Sequence, residues 1–265
     1  MHNRILIASG KGGVGTSTLA SLAALSAAER EESVLLVDAT EGGGSLHHLF
    51  GLRPANSLWM LSDSRWKAED TLLHAGDGLT LVAGGTSGGA IPPANDLERR
   101  AALMRLATLY ANYDTVIFDG GSRLDTITAV AELIDPSVLL VTSADRLALA
   151  ANYALVKTIR ARRAETTIAV AANRHGEALA EEACDFLVGA CSHFLGHAID
   201  VVGAVPEDPC LQAAVGAGMT VRDALDGSPA ADAMRGVLSR VLPVRPVASR
   251  PAAMTVASSF SRRWS

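Results

Sequence analysis

The sequence predicts an α/β protein with a mainly parallel, twisted sheet of seven or eight strands and helices on both faces. Apolar runs typical of buried strands alternate with helical patterns along most of the 265 residues, and such alternation gives a parallel sheet. A glycine-rich stretch joins the first strand to the first helix, and two aspartates stand at the ends of later apolar strands. We expect one domain over residues 1–242 and a flexible tail over residues 243–265.

The lengths of the apolar runs and the residues between them predict the individual elements. Strands are predicted near residues 4–8, 33–38, 79–83, 115–119, 137–142, 166–172 and 200–205. Longer helices are predicted near residues 16–30, 95–112, 125–134, 146–163 and 177–194, and shorter ones near residues 45–50, 57–62 and 208–216. Ligands of parallel sheets bind beyond the carboxyl ends of the strands, so residues at those ends should converge.

Composition narrows the classes of function. A net charge of −5 and a pI near 5.8 disfavour non-specific binding of nucleic acid, so we expect no direct nucleic-acid partner. The three cysteines form no C-x-x-C pair, which favours reduced thiols over a metal site or a disulfide. The first strand begins near residue 4 and no apolar run is long enough to span a bilayer, so the sequence predicts a cytoplasmic protein.

The stretch over residues 8–18, ASGKGGVGTST, has the composition of a phosphate-binding loop. Glycines let backbone N–H groups approach an anion, and the N-terminus of the following helix favours negative charge. The usual pattern is G-x-x-x-x-G-K-(S/T). Counted from Gly10, the second glycine is Gly15, the lysine position holds Thr16, and Ser17 stands at the magnesium-ligand position. The loop is therefore intact, but its central cation is missing.

Three charged residues are candidates for chemistry beside this loop. Asp38 and Asp119 end the apolar runs VLLV and TVIF, and a carboxylate in that position typically holds Mg²⁺ or its water shell. The alternative for each aspartate is a cap on the next turn. Lys11 lies inside the glycine loop, where it is either directed at phosphate or a solvated charge.

These segments resemble the motifs of a known family. Lys11-Gly-Gly-Val-Gly-Thr-Ser resembles the deviant Walker A box K-G-G-x-G-K-(S/T) of the MinD/ParA ATPases, and residues 34–40 and 113–119 resemble the second box and the Walker B strand. Over about residues 3–225, the order of further segments is most similar to the FlhG/FleN branch of flagellar-number regulators. The resemblance implies a MinD-like P-loop NTPase fold that binds ATP or ADP with Mg²⁺.

The resemblance also implies roles for individual residues. Lys11 would be the signature lysine that reaches across a homodimer to the partner's nucleotide. The residues implied around the phosphates are Gly10, Lys11, Gly12, Gly13, Val14, Gly15, Thr16, Ser17 and Thr18. The implied metal-binding residues are Ser17, Asp38 and Asp119. Asn173 would meet the adenine edge, unless it is an ordinary strand-end residue, and base and ribose would be flanked by Pro206, Glu207 and Asp208.

Two departures from the family pattern bear on catalysis. Thr16 replaces the second lysine of the loop, and Thr40 replaces the second aspartate of the D-x-D box, which positions the attacking water. Glu41 is adjacent but points differently along the chain, so Lys11 and Asp38 remain as the catalytic candidates. Phosphoryl transfer depends on positioning and charge, so we expect weak or no ATP hydrolysis. Arg123 is either a replacement cation or a solvated side chain.

The first functional hypothesis is a MinD-like or FlhG-like regulatory protein for flagellar number or placement, or for related positioning at the cell pole. It would act through a protein partner, such as a flagellar transcription regulator or a polar factor. The alternative is an active ATPase that dimerises with ATP and cycles on the membrane. An unrelated Rossmann-like enzyme is disfavoured because G-x-G-x-x-G is absent. His47 and His48 are adjacent, which favours a solvated loop pair over a metal site.

Two interpretations of the tail stay open. Apolar and small residues recur at helical spacing beside Arg262 and Arg263; they are Met254, Ala257, Phe260, Ser261 and Trp264. This spacing is compatible with a short amphipathic helix on an anionic inner-membrane surface. The alternative is a tail without fixed structure.

Overall fold

A computed structural model describes residues 3–89, 92–174 and 176–242, except for the side chain of Glu177. The predicted tail over residues 243–265, with its amphipathic spacing, lies outside the described residues. Within the described part of the chain, no helix is both long and apolar enough to cross a bilayer.

The described residues form one eight-stranded sheet, as the alternation of patterns predicts. Its strands are β1 (Asn3–Ala8), β2 (Val34–Asp38), β3 (Leu72–Gly76), β4 (Leu79–Val82), β5 (Thr115–Gly121), β6 (Ser137–Thr142), β7 (Ile168–Asn173) and β8 (Asp200–Val205). Their order across the sheet is β3-β4-β2-β5-β1-β6-β7-β8. Every neighbouring pair is parallel except β3 and β4, which run antiparallel. The predicted mainly parallel sheet is confirmed.

Helices cover both faces of this sheet. They are α1 (Thr16–Glu29), α2 (Leu46–Leu49), α3 (Asp96–Leu106), α4 (Leu124–Ile134), α5 (Arg146–Arg162), α6 (Glu177–Ala190), α7 (Pro209–Gly216) and α8 (Pro229–Val241). Side chains alternate along each strand, so Leu6 packs in the core under α3, α4, α5 and α6, while Ile5 and Ile7 pack in the core under α1 and α8. Two apolar cores therefore hold the layers together.

Among the strands and α-helices that the structure describes, two were not predicted. The strand β3 pairs with β4 through a turn at Asp77-Gly78, where Gly78 has a φ of +71°. An Asp-Gly pair between apolar runs is a recognised hairpin pattern, and it would have located this strand. The helix α8 begins after Ser228, whose side chain accepts a hydrogen bond from the N–H of Ala231, with Pro229 at the first helical position. Ser-Pro before an amphipathic run is likewise a helix-start pattern.

Strand order brings the candidate site together. The strand β5 lies between β1 and β2, and the register of the sheet places Asp119 beside both Ile7 and Asp38. The glycine-rich loop leaves the carboxyl end of β1, next to these two aspartates. The expected convergence of the loop with Asp38 and Asp119 follows from this topology.

Candidate functional site

The glycine-rich loop between β1 and α1 needs its glycines for backbone conformation and for space. Gly13 and Gly15 have φ values of +81° and +94°, which other residues adopt with strain. A Cβ atom on Gly10 would lie 2.3 Å from the carbonyl carbon of Ala151 on α5. At the start of α1 no acidic side chain lies in the first turn, and Gly15 offers no capping group. The N–H groups of that turn are thus available to an anion.

Side chains from distant parts of the chain hold the loop in this shape. The Oδ1 atom of Asn152 accepts the backbone N–H of Gly10 at 2.7 Å. The Nδ2 atom of Asn173 donates to the carbonyl of Val14 at 2.7 Å, and the Nη1 atom of Arg174 donates to the carbonyl of Gly13 at 3.1 Å. Sequence reasoning missed Asn152 and Arg174, because only the packing of α5 and β7 brings them to the loop.

Asp119 and Ser17 have the chemistry of a magnesium site. Asp119 is fully buried; its Oδ1 atom accepts the N–H of Gly121 at 3.0 Å, and its Oδ2 atom has no hydrogen-bond partner among the described residues. Burial and the nearby Asp38 carboxylate raise the pKa of Asp119 to about 7, while the Ser17 side chain lowers it in part. A buried carboxylate oxygen without a partner, beside a hydroxyl, fits Mg²⁺. When bound, the ion would neutralise phosphate charge.

Asp38 has different surroundings, although it is equally buried. Its Oδ1 atom accepts the N–H and the hydroxyl of Thr40, at 3.1 and 2.5 Å, and its Oδ2 atom accepts the N–H groups of Ser45 and Leu46, at 3.0 and 3.1 Å. An ionised carboxylate has about four acceptor positions, and all four are used. This geometry favours the capping interpretation of Asp38, whose role as a metal ligand stays a prediction.

Neither Thr40 nor Glu41 offers a carboxylate to the site. The Thr40 hydroxyl is bonded to Asp38, and Glu41 is buried in ion pairs with Arg99 at 2.6 Å and Arg123 at 3.2 Å. The hydroxyl of Thr126 also donates to Glu41. Burial alone would raise the pKa of Glu41, but the hydrogen bonds from Arg99 and Thr126 outweigh it and lower the pKa below its usual value. The Arg123 guanidinium group therefore neutralises the charge of Glu41 and does not supply a positive charge to the glycine-rich loop.

Lys11 has a partner within its own chain. Its Nζ atom lies 2.9 Å from Oδ2 of Asp145, the residue that caps the N-terminus of α5. Hydrogen bonds from the Ser143 hydroxyl and from Lys11 hold the pKa of Asp145 well below its usual range. The ammonium group is thus placed beside the N-terminus of α5, and its reach across a homodimer stays a prediction.

A cavity of about 300 Å³ opens beside the loop. Its lining includes Thr18, Asn173, Arg174, Pro206 and Asp208. The structure therefore brings together three of the residues expected around the base and ribose, while Glu207 is exposed and is not part of the lining.

The polar groups of this cavity are partly engaged. The Nδ2 atom of Asn173 is bonded to Val14, and Asp208 accepts the N–H of Leu211 at 2.9 Å and the hydroxyl of Ser228 at 2.6 Å. The predicted contact of Asn173 with the adenine edge would compete with its bond to the loop.

The histidine pair differs from the expectation of two solvated loop residues. His47 lies in α2, is only 4% exposed, and packs its ring against His48 with 3.9 Å between centroids. Burial lowers the pKa of His47. The expectation was wrong for His47, because α2 folds back against the core. Among the described residues, no group of three or more His, Cys, Asp or Glu side chains is arranged to hold a metal.

A glycine-rich loop between the first strand and first helix of a parallel sheet, with a buried aspartate ending the adjacent strand, defines the P-loop NTPase class. A family model named ParA, described as "NUBPL iron-transfer P-loop NTPase", matches residues 1–70. The chain is 26% identical to the antiactivator FleN of Pseudomonas aeruginosa, over 91% of this chain and 88% of that protein. It is 24% identical to the flagellum site-determining protein YlxH of Helicobacter pylori, over 58% of this chain and 52% of that protein.

Solved structures show the same fold. The septum site-determining protein MinD of Pyrococcus horikoshii, complexed with Mg-ADP, superposes with a TM-score of 0.72 at 20% identity, over 91% of this chain and 96% of that one. The chain therefore has a MinD-like P-loop NTPase fold, and its sequence is similar to ParA- and FleN-type proteins.

Proposed function

We propose that this protein is a MinD/FlhG-type regulator of flagellar number or placement, or of related positioning at the cell pole, with weakened or lost ATP hydrolysis. The regulatory role rests on the similarity to FleN, and one observation carries the proposed loss of hydrolysis. Threonine hydroxyls stand at positions 16 and 40, where the family pattern has a lysine and an aspartate. The nearest alternative charges, Glu41 and Arg123, form an ion pair with each other outside the loop.

Nucleotide binding is part of this proposal. The loop amides, the start of α1 and Lys11 would hold the phosphates of ATP or ADP, and Ser17 and Asp119 would hold Mg²⁺. The cavity beside the loop has room for a nucleoside. These features support binding more strongly than hydrolysis, because backbone amides contribute to both, whereas the charged side chains contribute mainly to the transition state.

The expected loss of hydrolysis follows from the electrostatics of phosphoryl transfer. Removing one preorganised charged or hydrogen-bonding group typically lowers a rate by roughly 10²–10³. Two such groups differ here, and their effects need not multiply because they act on the same step. We therefore expect turnover far below that of a MinD-type enzyme with both groups.

A regulator of this kind acts through partners. FleN is described as an antiactivator and YlxH as flagellum site-determining. By analogy, we propose a cytoplasmic homodimer that binds a flagellar transcription regulator or a polar factor. Contact of residues 243–265 with the inner membrane belongs to the same proposal, and co-sedimentation of the full chain with anionic vesicles would test it.

Calorimetry, an ATPase assay and light scattering together test the proposed function. We expect binding of Mg-ATP and Mg-ADP, little steady-state hydrolysis, and a gain in hydrolysis for Thr16→Lys, alone or combined with Thr40→Asp. A wild-type turnover equal to that of an ordinary MinD-type ATPase, abolished by Asp119→Ala, would establish the active cycling enzyme instead. Dimerisation that appears only with ATP would also favour that alternative.

A further inference from the structure

Arg174 has an unusual backbone conformation for its residue type. It follows β7 directly, and its φ of +67° lies in the left-handed region, which arginine seldom adopts. The N–H of Arg174 donates to the carbonyl of Val205 at 2.9 Å, which holds this conformation. The bond fixes the direction in which the side chain leaves the sheet, while the side chain itself remains exposed. Such an arrangement holds the guanidinium group at one place on the molecule.

That place is the phosphate-binding loop. The Nη1 atom of Arg174 donates to the carbonyl of Gly13 at 3.1 Å, and its Nε and Nη2 atoms lie 3.7 Å from the position that a Cβ on Gly15 would occupy. Gly15 directly precedes Thr16, the position at which the P-loop pattern has lysine. The guanidinium group therefore lies beside Gly15, the residue directly before the position that lacks the lysine charge.

The electrostatics of this position point to an anion. A cation beside the N-terminus of a helix is unfavourable unless a negative group lies between them, because both carry positive charge. A guanidinium group has five N–H donors in a planar fork that matches phosphate, and the described residues accept only one of them. Independently, the buried Oδ2 atom of Asp119 lacks a partner at the same site, as expected for a site that binds a metal with its ligand.

We propose that Arg174 contacts the phosphates of a nucleoside di- or triphosphate and supplies the cationic contact that position 16 lacks in this chain. The inference rests on the proposed nucleotide binding. From the sequence, Arg123 was considered either as a replacement cation or as a solvated side chain. Arg123 is bound to Glu41, whereas Arg174 lines the cavity beside the loop.

The test is a calorimetric titration of the full chain with Mg-ADP and with Mg-ATP. Arg174→Ala is expected to weaken binding by about 10- to 100-fold, the range for a lost hydrogen bond to a charged group. Arg174→Lys should retain part of the affinity. Arg53→Ala serves as the control, because Arg53 is an exposed arginine outside the site, and its affinity should equal that of the wild type. Rising salt should weaken wild-type binding more than Arg174→Ala binding.

A second variant separates phosphate binding from a purely structural clamp on Gly13. Thr16→Lys, introduced into Arg174→Ala, should restore most of the lost affinity if the charge is what matters. Failure of this rescue, together with a lower unfolding temperature of Arg174→Ala without nucleotide, would show a clamp only and overturn the inference. Equal affinities of the wild type and Arg174→Ala would overturn it as well, while the proposed function stands. No binding by the wild type would overturn both.

Discussion

Asp38 and Asp119 lie opposite each other at the ends of two neighbouring parallel strands, and both are fully buried, yet their hydrogen bonding is unequal. Asp38 accepts four hydrogen bonds from the loop that follows it, whereas Asp119 accepts one and leaves its Oδ2 atom without a partner in the described structure. A fully bonded carboxylate is stabilised in its ionised form. Burial nevertheless raises the pKa of both carboxyls, and the hydrogen bonds of Asp38 lower its pKa only in part. The oxygen without a partner makes Asp119 the one suited to a metal.

Asp119 makes the stability of the metal-free protein depend on pH. Its pKa is about 7 in the folded protein against 3.8 in the unfolded chain, so the folded state keeps a proton that the unfolded state has released between these values. The contribution of Asp119 to stability is therefore largest below about pH 4, falls as the pH rises toward 7, and levels off above that. We expect Asp119→Asn to raise the free energy of unfolding at pH 8 by up to about 4 kcal/mol.

Urea unfolding in EDTA at pH 5 and pH 8 measures this effect. The difference between Asp119→Asn and the wild type should be clearly smaller at pH 5 than at pH 8, because most of the loss in the wild type occurs between pH 5 and pH 7. An equal difference at both values would contradict the raised pKa of Asp119. Mg-ADP should reverse the order at pH 8, since the wild type gains the metal and the variant loses a ligand for it.

Asp38 is expected to contribute mainly to the stability of the fold. Asp38→Ala would leave the N–H groups of Thr40, Ser45 and Leu46 without their acceptor, and we expect a loss of about 2–4 kcal/mol in the free energy of unfolding. Asp185→Ala, at an exposed position of α6, is the matched control and should change stability by less than about 0.5 kcal/mol. If Asp38→Ala were as stable as this control, the capping interpretation would be refuted.

Variants of Glu41 test whether its carboxylate substitutes for the aspartate that Thr40 replaces. Glu41→Ala would leave Arg99, whose side chain is only 7% exposed, with Asp96 as its remaining ion-pair partner, and we expect a loss of about 3 kcal/mol. Residual ATP hydrolysis at a temperature where the variant is folded should be unchanged. A specific loss of hydrolysis in Glu41→Gln, with little change in stability, would instead place Glu41 in the catalytic machinery.

The ion pair between Lys11 and Asp145 competes with the predicted reach of Lys11 across a homodimer. Asp145→Ser would keep a capping side chain on α5 and release the ammonium group. If Lys11 binds the partner's nucleotide, this variant should dimerise a few-fold more tightly with Mg-ATP, as measured by light scattering. The effect should vanish in Lys11→Ala combined with Asp145→Ser. Weaker dimerisation of Asp145→Ser would show that the ion pair supports the interface.

Much of the fold could be predicted because its patterns are local. The spacing of apolar residues locates β1, β2 and β5, and the carboxyl ends of parallel strands necessarily meet at one edge of the sheet. The strand β3 and the helix α8 were missed although their Asp-Gly and Ser-Pro patterns were present. Both patterns are local, so the sequence contains enough information to locate these two elements.

Only part of the candidate site could be predicted from the sequence. The loop from Gly10 to Ser17, with threonine in place of lysine at position 16, is visible in eight consecutive residues, because glycine spacing and the start of a helix are properties of one segment. The sequence by itself therefore determined the class of site and its missing charge. Where Asp38, Lys11 and Arg174 direct their polar atoms was decided only by tertiary structure. Arg174 meets Gly13 across 161 residues and Lys11 meets Asp145 across 134, and such contacts exist only once the strands have taken their order in the sheet.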